Sequence, residues 1–162
     1  MHTALLQSPI GPLFVEGGEH GLTRLYTGGH RLHAEAPPDD GAFAAVVEQL
    51  DAYFAGELRR FDLALAPEGT EFERRVWDAL VRIPYGETVS YGELANELGM
   101  PGGARAVGRA NALNPISIVV PCHRVVGSNG KLTGYAGGLD VKRRLLDHER
   151  GIASWEFGTH PR

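Results

Sequence analysis

A short break at residues 66–70, Ala-Pro-Glu-Gly-Thr, splits this chain of 162 residues into halves of different character. Ahead of it, apolar runs at Leu5-Leu6, Leu13-Phe14-Val15 and Leu22-Thr23-Arg24-Leu25-Tyr26 are separated by Ser8-Pro9-Ile10-Gly11-Pro12 and Glu16-Gly17-Gly18-Glu19-His20-Gly21. Short apolar runs punctuated by Gly, Pro and Ser predict a β meander. Residues 28–41 are polar and rich in Gly and Pro and read as a loop. Phe43, Val46, Val47, Leu50, Tyr53 and Phe54 then recur at helical spacing, and Gly56 ends that helix. A small antiparallel meander with one helix, followed by a mostly helical half, predicts an α/β chain of the α+β kind. We expect an N-terminal strand–helix domain at 1–66, a linker at 67–70, a mostly helical C-terminal domain at 71–154 and a tail at 155–162.

Helix signals dominate the second half. Thr70 is placed to cap a helix with Glu73 as its capping-box partner. Phe72, Val76, Trp77, Leu80 and Val81 form its apolar stripe, and Pro84 stops it. Ser90 stands before a second helix, Tyr91 to Leu98, again with Glu93 three residues on. Gly99-Met100-Pro101-Gly102 is a turn and residues 103–112 form a third helix. Asn114-Pro115 leads into an apolar run, Ile116 to Val120, read as a strand that carries Cys122. Gly127-Ser128-Asn129-Gly130 is a turn, residues 133–138 a loop, and Val141 to Glu149 a last helix. Helix, four-residue turn, helix over 91–112 is the outline of a helix-turn-helix. Its second helix is unusually bare, with Ala104, Ala106, Gly108, Ala110 and Ala112. A backbone so thinly covered permits close approach of another helix in a core or of a minor-groove floor. Arg105, near its N-terminus, is the long exception and is placed to enter a base stack.

Bulk properties narrow the function classes. No apolar stretch approaches the roughly 18 residues of a membrane span, and the first residues do not start a signal peptide. One cysteine excludes an internal disulfide, fits a reducing cytoplasm and rules out a multi-cysteine zinc site. His20, His30 and His33 lie in Gly-rich polar surroundings and read as solvated, so no metal is expected. Net charge is −4, yet residues 101–150 hold eight Lys and Arg against three acids, a local +5. Both a phosphate-binding face and an ordinary solvated face fit that excess.

The single cysteine, Cys122, sits in Val119-Val120-Pro121-Cys122-His123-Arg124-Val125-Val126. A thiol reacts as its thiolate, and a neighbouring imidazole or guanidinium lowers the pKa that sets the thiolate fraction. Cysteine beside a potential base is the minimal plan for covalent chemistry. A buried small apolar filler is the other reading of a lone Cys.

Taken together, Pro121-Cys122-His123-Arg124-Val125, Asn114-Pro115 upstream, Thr133-Gly134-Tyr135-Ala136-Gly137-Gly138-Leu139 and His148-Glu149 downstream resemble the O6-alkylguanine–DNA alkyltransferase family. Ile83-Pro84-Tyr85-Gly86-Glu87-Thr88-Val89-Ser90-Tyr91 and Ala104-Arg105-Ala106-Val107-Gly108 match it too. The resemblance covers about residues 71–150. It implies a ribonuclease H-like N-terminal domain and a winged helix-turn-helix-like C-terminal one. The N-terminal half lacks the cysteines that help hold zinc in animal members. The activity implied is DNA repair by direct reversal: one irreversible transfer of an alkyl group from O6-alkylguanine to Cys122, without a cofactor, and it leaves O4-alkylthymine open as a second substrate. By resemblance His123 is the base through a bridging water, Glu149 orients it, and Asn114 is a hinge. Tyr91 rotates the nucleotide out of the helix and Arg105 fills the gap. Tyr135, the Cys122 and Val125 carbonyls and the Ala136 amide hold the flipped base. Ala104, Arg105, Ala106, Gly108 and Arg109 line the DNA-binding helix, while Arg124 is a buried ion-pair partner. The partner implied is double-stranded DNA gripped through its minor groove by a cytoplasmic monomer. Three other readings compete: a non-catalytic damage-recognition protein, a cysteine hydrolase using Cys122, His123 and Glu149, and a helix-turn-helix regulator.

Overall fold

In the computed structural model, which describes residues 1–27, 36–135 and 137–152, strands β1 (His2–Leu6), β2 (Leu13–Gly18) and β3 (Gly21–Thr27) pair as an antiparallel meander in that order. Leu13 faces Thr27 and Val15 faces Leu25, and an irregularity between Glu16 and Gly17 shifts the register near the β2–β3 turn. Ala4, Leu13, Val15, Leu22 and Leu25 turn inward and are buried. Helix α1 (Ala44–Phe54) closes over them through Val46, Leu50, Tyr53 and Phe54. These are the residues whose spacing predicts that helix.

Both faces of the sequence break are bound to the sheet. Leu22 N donates to Ala64 O at 2.9 Å and Ala66 N to Leu22 O at 2.8 Å, so the chain leaving α1 lies along the outer edge of β3. Further along the same edge, Leu25 N donates to Pro115 O at 2.8 Å and Ser117 N to Leu25 O at 2.9 Å. On the opposite side of the sheet, Leu5 N donates to Pro37 O. Gly69 is required where it stands, because a Cβ there would collide with the Trp77 ring.

Helix α2 (Glu71–Val81) begins with the capping box expected at Thr70 and Glu73, and both reciprocal hydrogen bonds are formed. Such a cap is worth about 1 kcal/mol. Val76, Trp77, Ala79 and Leu80 are buried, and the Trp77 indole donates to Ala110 O at 2.8 Å. Strand β4 (Val89–Ser90) leads into α3 (Tyr91–Glu97), which repeats the capping box with Ser90 and Glu93. Helix α4 (Ala104–Ala112) follows, with Gly103 as its N-cap residue rather than its first helical one. The two-residue strand β5 (Val125–Val126) pairs in parallel with β4. Helix α5 (Leu139–Glu149) completes the fold. One apolar cluster runs from Leu13 and Leu25 of the sheet through Tyr53 of α1 to Val76, Val107, Ile116 and Leu145.

One expected element is absent. The run Ile116 to Val120 forms no strand beyond a single bridge between Ile116 and Leu25. Its chain is wound tightly instead. Val119 N donates to Ser117 O and Val120 N to Ile116 O, and the buried Asn114 side chain bonds Ile116 and Val120 at the two ends of the run. Apolar composition reports burial, which a coil stapled by a side-chain amide provides as well as a ladder does.

Candidate active site

The turn that ends at Cys122 is built around Asn114. Its Nδ2 donates to Val120 O at 2.9 Å and Ile116 O at 3.3 Å, and its Oδ1 accepts from Ile116 N at 3.1 Å. Within the loop so formed, Ile118 sits at φ 71°, the left-handed region that a β-branched residue enters only under strain. Cys122 N donates to Val120 O at 2.7 Å, and a single 3-10 turn, Cys122–Arg124, follows. That turn buries Cys122, His123 and Arg124 together, where a strand would have sent neighbours to opposite faces.

His123 and Arg124 converge on Glu149, the last residue of α5. His123 Nε2 lies 2.7 Å from Glu149 Oε2. Arg124 donates from Nε to Oε1 at 2.8 Å and from Nη2 to Oε2 at 2.9 Å, and its Nη1 reaches Ile83 O at 2.7 Å. Arg124 is thus a buried ion-pair partner. Two further donors complete the carboxylate's surroundings: the Tyr53 hydroxyl to Oε2 at 2.6 Å and Gly86 N to Oε1 at 3.3 Å. Burial alone would push Glu149 up, but His123 and Arg124 override it and hold the carboxyl far below its usual range. Burial pushes His123 down against the pull of Glu149, so the imidazole is neutral at rest. With Nε2 against a carboxylate, the proton belongs on Nε2 and Nδ1 is left as the acceptor. Nδ1 is buried and has no hydrogen-bond partner.

The thiol's surroundings differ from those the sequence suggests. Cys122 is 5% exposed, and burial pushes its pKa up rather than down. The groups pulling the other way are the Asn114 side chain and the Lys142 ammonium, not the adjacent His123 or Arg124. Lys142 is wholly buried, donates from Nζ to Thr133 O at 2.6 Å, and is pushed down to about 8 by that burial while Cys122 opposes the shift. On α5 the buried positions are Lys142, Leu145, Leu146 and Glu149. Their spacing is one continuous helical stripe with a cation at its start and an anion at its end.

Three buried side-chain atoms among the described residues lack a hydrogen-bond partner: His123 Nδ1, Asn111 Oδ1 and the Tyr135 hydroxyl. All three belong to residues around Cys122. Asn111 Nδ2 reaches Cys122 O at 3.4 Å, and burial followed by the charge of Cys122 pushes the Tyr135 hydroxyl well up. Buried polar groups are nearly always paired, so these three atoms have bonding capacity left for a water or a ligand. Val125 is buried directly after the 3-10 turn. Ala136 lies outside the described residues. Its neighbour Gly137 is needed, because a Cβ there would collide with Thr27 of β3.

Helix α4 passes beside this centre. Val107, Ala110 and Asn111 face inward, whereas Arg105 and Arg109, four residues apart, share the exposed face. Ala104, Ala106 and Gly108 are half-buried. Gly108 faces the Tyr91 ring, where a Cβ would make ordinary contact at 3.7 Å. Tyr91 Oη is 3.4 Å from Thr133 O, and Lys142 Nζ stands 6.0 Å from its ring. Cys122, the His123–Glu149 pair and the exposed arginines thus lie on elements joined through Asn111 and Glu149. Among the described residues no three His, Cys, Asp or Glu side chains gather as a metal site, and no helix is long and apolar enough to cross a membrane.

Residues 1–67 match the family model of the 6-O-methylguanine DNA methyltransferase ribonuclease-like domain, and residues 71–151 match that of the same family's DNA binding domain. The chain belongs to the 6-O-methylguanine DNA methyltransferase family. Curated members of that family resemble it over most of their length. A methylated-DNA–protein-cysteine methyltransferase of Mycobacterium tuberculosis is 53% identical over 156 residues, covering 94% of each chain. One from Methanosarcina acetivorans is 53% identical over 153 residues, covering 92% of this chain and 98% of its own. The solved structure of the M. tuberculosis OGT in complex with DNA superposes with a TM-score of 0.87 at 54% identity, covering 94% of this chain and 95% of that one. The family assignment and the α/β fold expected from the sequence therefore hold. Within this methyltransferase fold, sequence reading overlooked Tyr53 and Lys142. Lys142 carried a signal, a lysine in register with Leu145, Leu146 and Glu149 on an otherwise apolar stripe. Tyr53 carried none, since it sits 96 residues from its partner among ordinary core aromatics.

Proposed function

We propose that this protein repairs alkylated DNA by moving one alkyl group from guanine O6 to Cys122, once per molecule. The observation that carries the reading is the buried run from Cys122 through His123 to Glu149, in a chain whose residues 1–67 and 71–151 match this family's two domains. A saturated carbon with a poor leaving group demands a thiolate. The thiol proton passes through a bridging water to His123 Nδ1, the ring atom without a partner, while Glu149 steadies the imidazolium that results. The sulfur lone pair forms the new C–S bond as the C–O6 bond breaks. The electron pair returns to the guanine, which takes a proton and leaves restored. A thioether does not hydrolyse, so the protein is consumed. Nothing in these steps calls for a metal or cofactor.

The target atom lies inside a stacked duplex, so the nucleotide must be turned out. In this reading α4 enters the minor groove, Arg105 fills the vacated stack, and Tyr91 acts at the phosphate. Arg109 strengthens the grip and Ala104, Ala106 and Gly108 allow the backbone to come close. Tyr135 donates to the purine ring, the Cys122 and Val125 carbonyls receive the exocyclic amine, and the Ala136 amide assists departure of O6. Asn114 joins α4 to the nucleophile's turn. Residues 71–154 carry the chemistry, 1–66 brace it, and 67–70 connect them. The protein acts as a monomer in the cytoplasm. Intact mass after incubation with duplex DNA containing O6-methylguanine tests the assignment. Mass should rise by one methylene per molecule, at Cys122, and Cys122→Ser should abolish the gain. A damage-recognition protein would bind without any gain, and a cysteine hydrolase would turn over repeatedly.

A further inference from the structure

We propose that Tyr53, in the N-terminal half, is a positioning residue of the transfer reaction, holding the carboxylate that holds the base. The inference rests on the function just proposed and extends it to a residue outside the C-terminal half. The Tyr53 hydroxyl donates at 2.6 Å to Glu149 Oε2, the same oxygen that receives His123 Nε2 at 2.7 Å. Tyr53 is itself rigidly held. Its ring packs on Phe54, Phe61, Tyr85 and His148. Its backbone carbonyl accepts from His148 Nε2 at 2.6 Å, one residue before Glu149. The last turn of α1 and the last turn of α5 are therefore bonded to each other twice. Burial, with Glu149 beside it, pushes the Tyr53 hydroxyl well up, so it stays protonated and acts only as a donor.

Two consequences follow for the base. The direction of Oε2 is fixed by three donors from two elements: Tyr53 of α1, and His123 and Arg124 of the 3-10 turn. Sharing Oε2 with a phenol also weakens it as an acceptor for His123. The other titratable groups packed around this pair are Cys122 in the turn, Lys142 and His148 on α5, and Tyr85 ahead of Gly86. None of them bonds Oε2 among the described residues. With the phenol removed, Oε2 attracts the imidazolium more strongly, and His123 takes up its proton at higher pH.

The experiment compares full-length wild type with Tyr53→Phe, which keeps the ring and loses the donor. Single-turnover transfer from O6-methylguanine duplex should slow about tenfold, and the acid limb of its pH profile should move up by about half a unit to one unit. The His123 titration, followed by nitrogen NMR on the free protein, should move the same way. Phe61→Leu, which loosens the same aromatic cluster without touching the carboxylate, should lower thermal stability and leave both midpoints in place. Replacing Tyr53 with 3-fluorotyrosine, a stronger donor of nearly the same shape, should move them down, and it carries the test should the phenylalanine variant not fold. Midpoints that coincide with wild type in the variant that folds would overturn the proposal. Absence of transfer in wild type would instead overturn the function, and the His123 titration would still decide the role of Tyr53.

Discussion

Replacing Glu149 by Gln should cost this protein both its chemistry and a large part of its stability. The carboxylate receives Tyr53, His123, Arg124 twice and Gly86 within 3.3 Å, and its side chain is wholly buried. An amide keeps the shape and one acceptor oxygen but presents N–H groups where an acceptor stood. Arg124, only 6% exposed, then loses its counter-charge and at least one of its two bonds to this side chain, while keeping Ile83 O. Breaking a buried ion pair by removing one partner costs about 3–5 kcal/mol, and the retained acceptor places this case near about 3 kcal/mol. For a chain of this length that lowers Tm by about 6–12 °C. Transfer should slow about a hundredfold, because the base loses both its orientation and the charge that stabilises it. DNA affinity should be nearly unchanged, since Glu149 lies on no exposed face. The acid side supplies an independent check. Glu149 is held far below 4.5 when folded, so its contribution is present above about pH 4.5 and is lost as pH falls toward the folded value. The lowered His123 works in the same direction, its share already fading below about 6.5. Wild-type stability from urea melts should therefore drop steeply with acid, and Glu149→Gln should flatten that drop. A loss at pH 7 under about 1 kcal/mol with unchanged acid slope would show that the cluster is not the ion-paired centre described here. Adding Arg124→Met to the variant should recover part of the loss, as expected when two changes share one interaction.

Lys142→Met should raise the pH at which Cys122 reacts with iodoacetamide and slow alkyl transfer, because the ammonium favours the thiolate; an unmoved midpoint would assign the activation to Asn114 and the backbone at Cys122. Arg105→Ala should lose much of the rate on alkylated duplex and little on free O6-benzylguanine, which needs no flipping. Equal losses on the two substrates would make Arg105 a support of the pocket instead.

How far the sequence could be read depended on the range of the interaction involved. The capping boxes at Thr70–Glu73 and Ser90–Glu93 span three residues and form as written. The meander and α1 follow from local apolar spacing in the same way. The segment 116–120 misled because its apolar residues are buried by a turn. That turn is drawn together by Asn114, and Ile118 is held in it at a φ no propensity would choose. Motifs drew attention to Cys122, His123, Asn114 and Glu149, and the fold gathers them. Composition could not show that burial raises the thiol's pKa, or that the opposing charge comes from Lys142, 20 positions along the chain. That information resides in how helices and sheet meet.

The bonding along the rim of the small sheet has a consequence for self-association. A three-stranded sheet normally offers two rows of unpaired amides and carbonyls, each a template for a strand from another molecule. Here the β1 side is engaged by Pro37 and the β3 side by 64–66 at Leu22 and by 115–117 at Leu25, so the Leu25 part of the β3 rim is covered by the far half of the chain. A fragment ending near residue 66 would uncover the Leu25 stretch of β3 and present it to its own copies. The contacts that seat the nucleophile's turn thus also keep a sticky edge out of circulation.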